Sequence, residues 1–343
     1  MLKIRLGGIK VLERRACLFP FCRSGTDALD DLCSRLAADR INLGLLVHIA
    51  DFRIGESSTA ASIRSLDAFA GYVYGSIRPN ECNIEKTVAD VCRVSIFPHD
   101  QRPDVTASLI RVLADSGVKP YVLGSSTSAM TVVVSSSDFQ VTMQRLFDAF
   151  TFHPYESYDD WRAAYRGEEA LRKDVRLSYH EEVISIFGIA HRTNFDQWNV
   201  TLPLERLKNF EMALSSLNQF QLGMPFLVSI SPPGEDDIYF SFLLEAAHHI
   251  KVARTFAEAL PDVRFSCLAP VALLFFHGPH FGDRYGIANA LVKVLRKARI
   301  TLLALSCAVA SISLVVRACD LDQTIEALGS VFQTPAAQPR NRS

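Results

Sequence analysis

The sequence has no excess of charge of either sign. Its 36 lysines and arginines stand against 37 aspartates and glutamates, a formal net charge of -1, and only 21% of residues are charged. A chain without a basic stripe has little with which to displace counterions from phosphates, so nucleic acid and anionic membrane surfaces are poor partners. Long apolar runs are missing too, although the mean hydropathy is slightly positive at +0.14. The run at residues 300–316 contains Ser306, Ser311 and Ser313 and falls short of the about 20 apolar residues that a membrane-spanning helix needs. Residues 1–12 carry no apolar core of the length that a secretory signal uses, so the cytoplasm is the expected compartment.

No C-x-x-C spacing occurs among the eight cysteines, at positions 17, 22, 33, 82, 92, 267, 307 and 319. That argues against a zinc ribbon and for reduced thiols inside strands and on helix faces. His277 and His280 come nearest to a ligand pair, but no cysteine lies near them. His248 and His249 are adjacent and would point in different directions on a helix. The triplet His180, Glu181, Glu182 lacks the second histidine of a zinc-protease helix. Neither a metal nor any other cofactor is expected. Catalytic motifs are absent as well: the chain has no G-x-x-x-x-G-K-[ST], no G-x-S-x-G and no G-x-G-x-x-G between a strand and a helix. No nucleophile is nominated, so the expectation is a protein that is not an enzyme.

What the chain does have is a repeat. Residues 271–332 predict a strand over 271–276, a helix from Ile287, strands over 300–305 and 310–316, and a helix over 320–332. Ile287, Leu291, Val294, Leu295 and Ala298 recur at spacings of three and four, which gives one helix face to a core. Lys293, Arg296, Lys297 and Arg299 crowd its C-terminal end, where they complement the helix dipole. Residues 93–150 follow the same plan and align without a gap from Asp104, opposite Gly286, through Val133. Two weaker copies lie at residues 16–73 and 199–260. Gly8 and Ile9 precede the first copy much as Gly188 and Ile189 precede the third, so a tandem pair has itself been duplicated.

This plan resembles the ACT domain, and specifically the paired ACT domains of the aspartate kinase regulatory region. The residues that carry the likeness are Gly8 with Ile9, Gly188 with Ile189, the join at residues 88–96, Arg102 to Val105 before a helix, Ile41 with Asn42 after one, and Gly286 to Ala288. The resemblance implies an α+β fold of four ferredoxin-like βαββαβ ACT units arranged as two tandem pairs. The units are expected at residues 9–87, 88–153 (which residues 1–8 can complete), 183–267 and 268–333. Residues 154–182 form a helical linker between the pairs, and residues 334–343 a disordered tail. The family's kinase domain begins with a K-F-G-G-[ST]-S motif, which Lys3 to Gly8 do not match, so a regulatory part without its kinase is implied.

In that family a free amino acid binds between paired units, its carboxylate against backbone N–H groups at a helix start that a glycine opens. Asp27 and Asp104 stand at that glycine's position in the first two units, and Glu205 in the third; a carboxylate there favours the helix dipole and repels a ligand carboxylate. Only the fourth unit keeps the glycine. The implied ligand site is therefore Asp283, Gly286, Ile287, Ala288, Thr301 and Ser306, with Asn42 and His48 matching the family's polar positions in the first unit. The implied ligand is a free amino acid of the lysine or threonine class, and the implied partner an amino-acid biosynthetic enzyme such as a separate aspartate kinase. The alternative is a scaffold for oligomerisation that has lost ligand binding. Free sheet edges in such units lead to the expectation of a homodimer.

Overall fold

Two long ribbons of paired strands organise the protein, one in each half of the chain. The computed structural model describes residues 3–21, 28–51, 56–63, 83–165, 184–218, 222–279, 281, 284–308 and 311–334. The first half runs β1 (Ile4–Leu6), β2 (Gly8–Phe21), α1 (Ala28–Ala38), β3 (Leu43–Asp51), β4 (Glu56–Ile63), β5 (Asn83–Phe97), α2 (Pro103–Ser116), β6 (Val122–Ser125), β7 (Met130–Ser135), α3 (Phe139–Ala149), β8 (Phe150–Phe152) and α4 (Tyr158–Ala164). The second runs β9 (Ile184–Ser185), β10 (Ile189–Pro203), α5 (Leu207–Asn218), β11 (Leu227–Ile230), β12 (Asp237–Glu245), α6 (His249–Ala259), β13 (Phe265–His277), α7 (Ile287–Lys297), β14 (Ala304–Ala308), β15 (Ser311–Arg317), α8 (Leu321–Gly329) and β16 (Phe332–Gln333). The fold is α+β. Among the described residues no helix is long and apolar enough to cross a membrane.

The strands β2 and β5 pair antiparallel along nearly their whole length, from Gly8 opposite Phe97 to Phe21 opposite Asn83, with register shifts between Leu12 and Cys17. Those shifts re-aim the ribbon, so that β4 flanks one part of β2 while β7 flanks the other part of β5. The second half repeats this construction with β10 and β13 as the ribbon, β12 beside β10 and β15 beside β13. Two further antiparallel pairs, β3 with β14 and β6 with β11, join the halves. The result is a closed barrel of twelve strands.

Alternation along the strands divides the side chains between two environments. Leu45, Val47 and Ile49 on β3 point into the barrel, together with Val228 and Ile230 on β11 and Val271 and Leu273 on β13. Leu46, Leu274, Leu305 and Leu314 point outward and are covered by α1, α7 and α8. On the other side α2, α3, α5 and α6 cover Val94, Leu123, Val132 and Phe240. The barrel is thus filled and both outer faces are capped by helices.

The strongest repeat matches the structure closely. At the spacing set by Asp104 and Gly286, β6 falls opposite residues 304–307 and β7 opposite 312–317, in agreement with β14 and β15. Pro103 opens α2 at a position that needs no N–H, and Gly117 closes it at φ +63. On α7, Ile287, Leu291, Val294 and Leu295 are buried as their spacing predicts.

Other expectations need correction. The strand expected at 300–305 begins at Ala304 and runs on through Ser306 and Cys307 to Ala308. Residue 300 instead closes α7, since its N–H donates to Leu295 O at 2.9 Å. The barrel itself offers a homodimer no free edge, because each of its strands has two neighbours within this chain, whereas among the described residues the two-stranded sheets β1–β8 and β9–β16 keep their outer edges. Of the linker, residues Tyr158–Ala164 are helical and pack Trp161 into the first half's core; residues 166–183 lie outside the described residues, as do 335–343 of the tail.

Candidate functional site

The β3–β14 seam brings α1 and α7 together as neighbouring antiparallel helices. Asp30 near the start of α1 forms an ion pair with Arg296 near the end of α7, and Ser34 Oγ donates to Asn289 Oδ1 at 3.0 Å. Below these contacts, where α1 ends and α7 begins, the two helices part and leave a crevice. Ala37, Ile41 and Asn42 line it from the first half, Arg284, Gly286, Ile287, Ala288 and Asn289 from the second, and Cys307 and Ala308 from β14.

Gly286 is the hinge of this site. It caps α7 with φ +85, in the left-handed region that glycine enters without strain, and contributes no side chain. The first N–H groups of α7, like those at any helix start, have no partner within the helix, and they open toward the crevice from the positive end of the helix dipole. Arg284 adds a cationic side chain among the lining residues. Burial pushes the Cys307 thiol up to about 12, so it stays protonated and contributes volume rather than a nucleophile.

The expected site residues divide between several places. Asn42, Gly286, Ile287 and Ala288 come together in the crevice. Ser306 does not. It lies in the seam itself, opposite Val47 of β3, fully buried on the barrel side of β14 with its Oγ toward Gly124 of β6. His48 faces the helix side of β3, buried, with Nδ1 2.9 Å from Thr59 Oγ1, and does not line the crevice. Thr301 is exposed beyond the end of α7. Asp283 and Asp27 fall outside the described residues. Asp104 sits in the first turn of α2, held by the Arg102 guanidinium at 3.1 and 2.5 Å, and Glu205 lies in a short 3-10 turn ahead of α5. Arg284, Asn289 and Cys307 line the crevice and carried no signal in the sequence reading. Asn289 lies one turn along α7 from Gly286, at the spacing that stacks residues on one helix face, and that spacing was the clue available.

The other seam, β6 with β11, brings α2 and α5 together, and different groups meet at the start of α2. Met224, fully buried, donates its N–H to Gln101 O at 3.0 Å, and Gln101 Oε1 accepts from Arg192 at 2.6 Å. His99, beside them, is buried against Thr106 Oγ1 at 3.0 Å, and desolvation holds its pKa down to about 4. The two seams have the same strand pairing and different chemistry.

No family model matches the chain, and no curated protein matches it. Among solved structures, an aspartate kinase from Synechocystis superposes on 97% of this chain with a TM-score of 0.73 at 13% identity. The chain spans 57% of that protein's length. The regulatory subunit of aspartate kinase from Thermus thermophilus, in a ligand-free form, matches 43% of this chain and 99% of its own, with a TM-score of 0.39 at 10% identity. At such identities the Synechocystis likeness establishes a shared fold.

Proposed function

We propose that this chain is a non-catalytic, amino-acid-binding regulatory protein built of four ACT units, at residues 9–87, 88–153, 183–267 and 268–333, in two tandem pairs. Its ligand is a free amino acid of the lysine or threonine class. Its target is an amino-acid biosynthetic enzyme such as an aspartate kinase on a separate chain. One observation carries the reading: Asn42 and Gly286, from opposite ends of the sequence, line the same crevice at a helix N-terminus. There the N–H groups of α7 and Arg284 receive a carboxylate, while the Asn42 side chain offers a carbonyl to an ammonium group. Support also comes from the repeats, which take up nearly all the described residues.

The test is a thermal-shift screen against the twenty amino acids, with calorimetry on hits. A ligand at 100 times its dissociation constant stabilises the native state by about 2.7 kcal/mol. Gly286→Asp places a carboxylate where the ligand's own would sit, and it should abolish the shift. A shift that survives this substitution moves the site elsewhere. The scaffold alternative predicts no shift with any amino acid.

A further inference from the structure

Away from both seams, three side chains of metal-ligating type converge from three separate elements. Asp196 lies in β10, Cys267 in the first part of β13, and His249 in the first turn of α6. Sheet register brings the first two together, because Trp198 pairs with Cys267 and Gln197 with Leu268. The helix then lowers His249 onto them. His249 Nδ1 is 2.7 Å from Asp196 Oδ2 and 3.9 Å from Cys267 Sγ, and one ligand atom from each residue lies within 4.8 Å of the other two.

Two chemistries use these residue types. In a cysteine–histidine–aspartate relay the carboxylate and the thiol engage opposite nitrogens of the imidazole, so that a proton can pass through the ring. Here both approach the same nitrogen, Nδ1, and a relay has no path. Convergence on one point is instead what a cation requires. Ligand atoms at about 2.0–2.3 Å from a tetrahedral metal lie about 3.2–3.8 Å from one another. The nitrogen–oxygen separation has to open slightly and the nitrogen–sulfur separation is already at that scale.

The surroundings fit as well. The Asp196 side chain is only 3% exposed, whereas His249 is 49% exposed, so the site has a closed floor and an open entrance. The Trp198 ring lies 5.1 Å from the imidazole and limits its rotation. Carboxylate, imidazole and thiolate together form a donor set of intermediate softness, suited to zinc-class ions and poorly suited to calcium or magnesium. Three protein ligands leave a fourth position for water.

We propose that Asp196, His249 and Cys267 form a binding site for one divalent cation of the zinc class, which ties α6 to the β10–β13 ribbon. The probe is Co²⁺, titrated into untagged full-length protein stripped with a chelator. The expected result is one equivalent bound, visible d–d bands of a tetrahedral ion, a sulfur-to-metal charge-transfer band, and displacement of the cobalt by Zn²⁺. Cys267→Ser, a near-isosteric change, should remove the charge-transfer band. Both it and His249→Gln, at a half-exposed position, should weaken binding by at least about 10-fold. Thermal midpoints without metal show that each variant folds. Absence of a charge-transfer band in the wild type, or its persistence in Cys267→Ser, overturns the assignment. So does unchanged affinity in His249→Gln.

Discussion

Arg111 on α2 and Glu211 on α5 meet across the seam between the two halves, with the guanidinium Nη2 2.7 Å and Nε 3.1 Å from one carboxylate oxygen. Ser215 Oγ donates to that same oxygen at 2.6 Å. The Glu211 side chain is 7% exposed and that of Arg111 28%, so the pair is largely desolvated yet not sealed from water. Arg111→Ala leaves a nearly buried carboxylate without its cation. It should cost about 1–3 kcal/mol in urea denaturation, below the about 3–5 kcal/mol of a fully buried pair. Arg111→Leu combined with Glu211→Leu should cost less than Arg111→Ala alone.

Gly124 and Ser306 meet in a close crossing inside the barrel. A Cβ on Gly124 would lie 3.0 Å from Ser306 Oγ, 3.1 Å from Leu45 Cδ1 and 3.3 Å from Val47 Cγ2. Gly124→Ala should therefore destabilise by about 1–3 kcal/mol through overpacking. Among the described residues Ser306 Oγ is buried without a hydrogen-bond partner. Ser306→Ala should be neutral or stabilising by about 1 kcal/mol, and it should recover part of the Gly124→Ala loss. Additive effects in the double variant would contradict the crossing.

Gly286→Ala separates backbone strain from crowding. Among the described residues the added Cβ would meet only Ala37 Cβ, at 3.8 Å, an ordinary contact. The expected loss of about 1–2 kcal/mol then comes from the left-handed backbone alone. Chemical denaturation of the ligand-free protein measures it.

His99 gives the protein an acid-sensitive element. Its pKa falls from 6.5 to about 4 through burial, so below pH 6.5 the unfolded chain takes up a proton that the folded chain refuses. The stability is complete above pH 6.5 and is lost progressively as pH falls toward 4, by about 3 kcal/mol in all. His99→Gln should flatten this part of the stability profile while lowering stability at neutral pH. An unchanged slope between pH 6.5 and 4 would show that other groups govern it.

Periodicity made α7 legible, because its apolar residues recur every three or four positions on one face while Lys293, Arg296 and Lys297 recur on the exposed one. The apolar residues at 300–303 were misleading for a physical reason. Ile300 and Leu303 are buried in two different cores, yet the chain between them is spent leaving α7 and entering β14. Apolar character reported burial there and not extended pairing. The error at Ser306 has a related cause. In a strand, moving one residue exchanges the two faces, and Cys307 reaches the crevice while Ser306 enters the barrel. Asn42 and Gly286 were found through resemblance to a family, whereas Asp196, His249 and Cys267 sit in no motif. They are separated by 53 and 18 residues, and only the β10–β13 register and the entry of α6 unite them.

Closing the barrel within one polypeptide changes the rules under which its seams evolve. When two identical copies associate about a two-fold axis, each substitution appears twice and the paired sites stay alike. Here the seams are encoded separately. Met224 can be held against Gln101 at one while Asn42 and Gly286 line a crevice at the other, and neither choice constrains its counterpart. Dilution cannot part them either, so a ligand held in that crevice would bind with the stoichiometry of a monomer and an affinity independent of protein concentration.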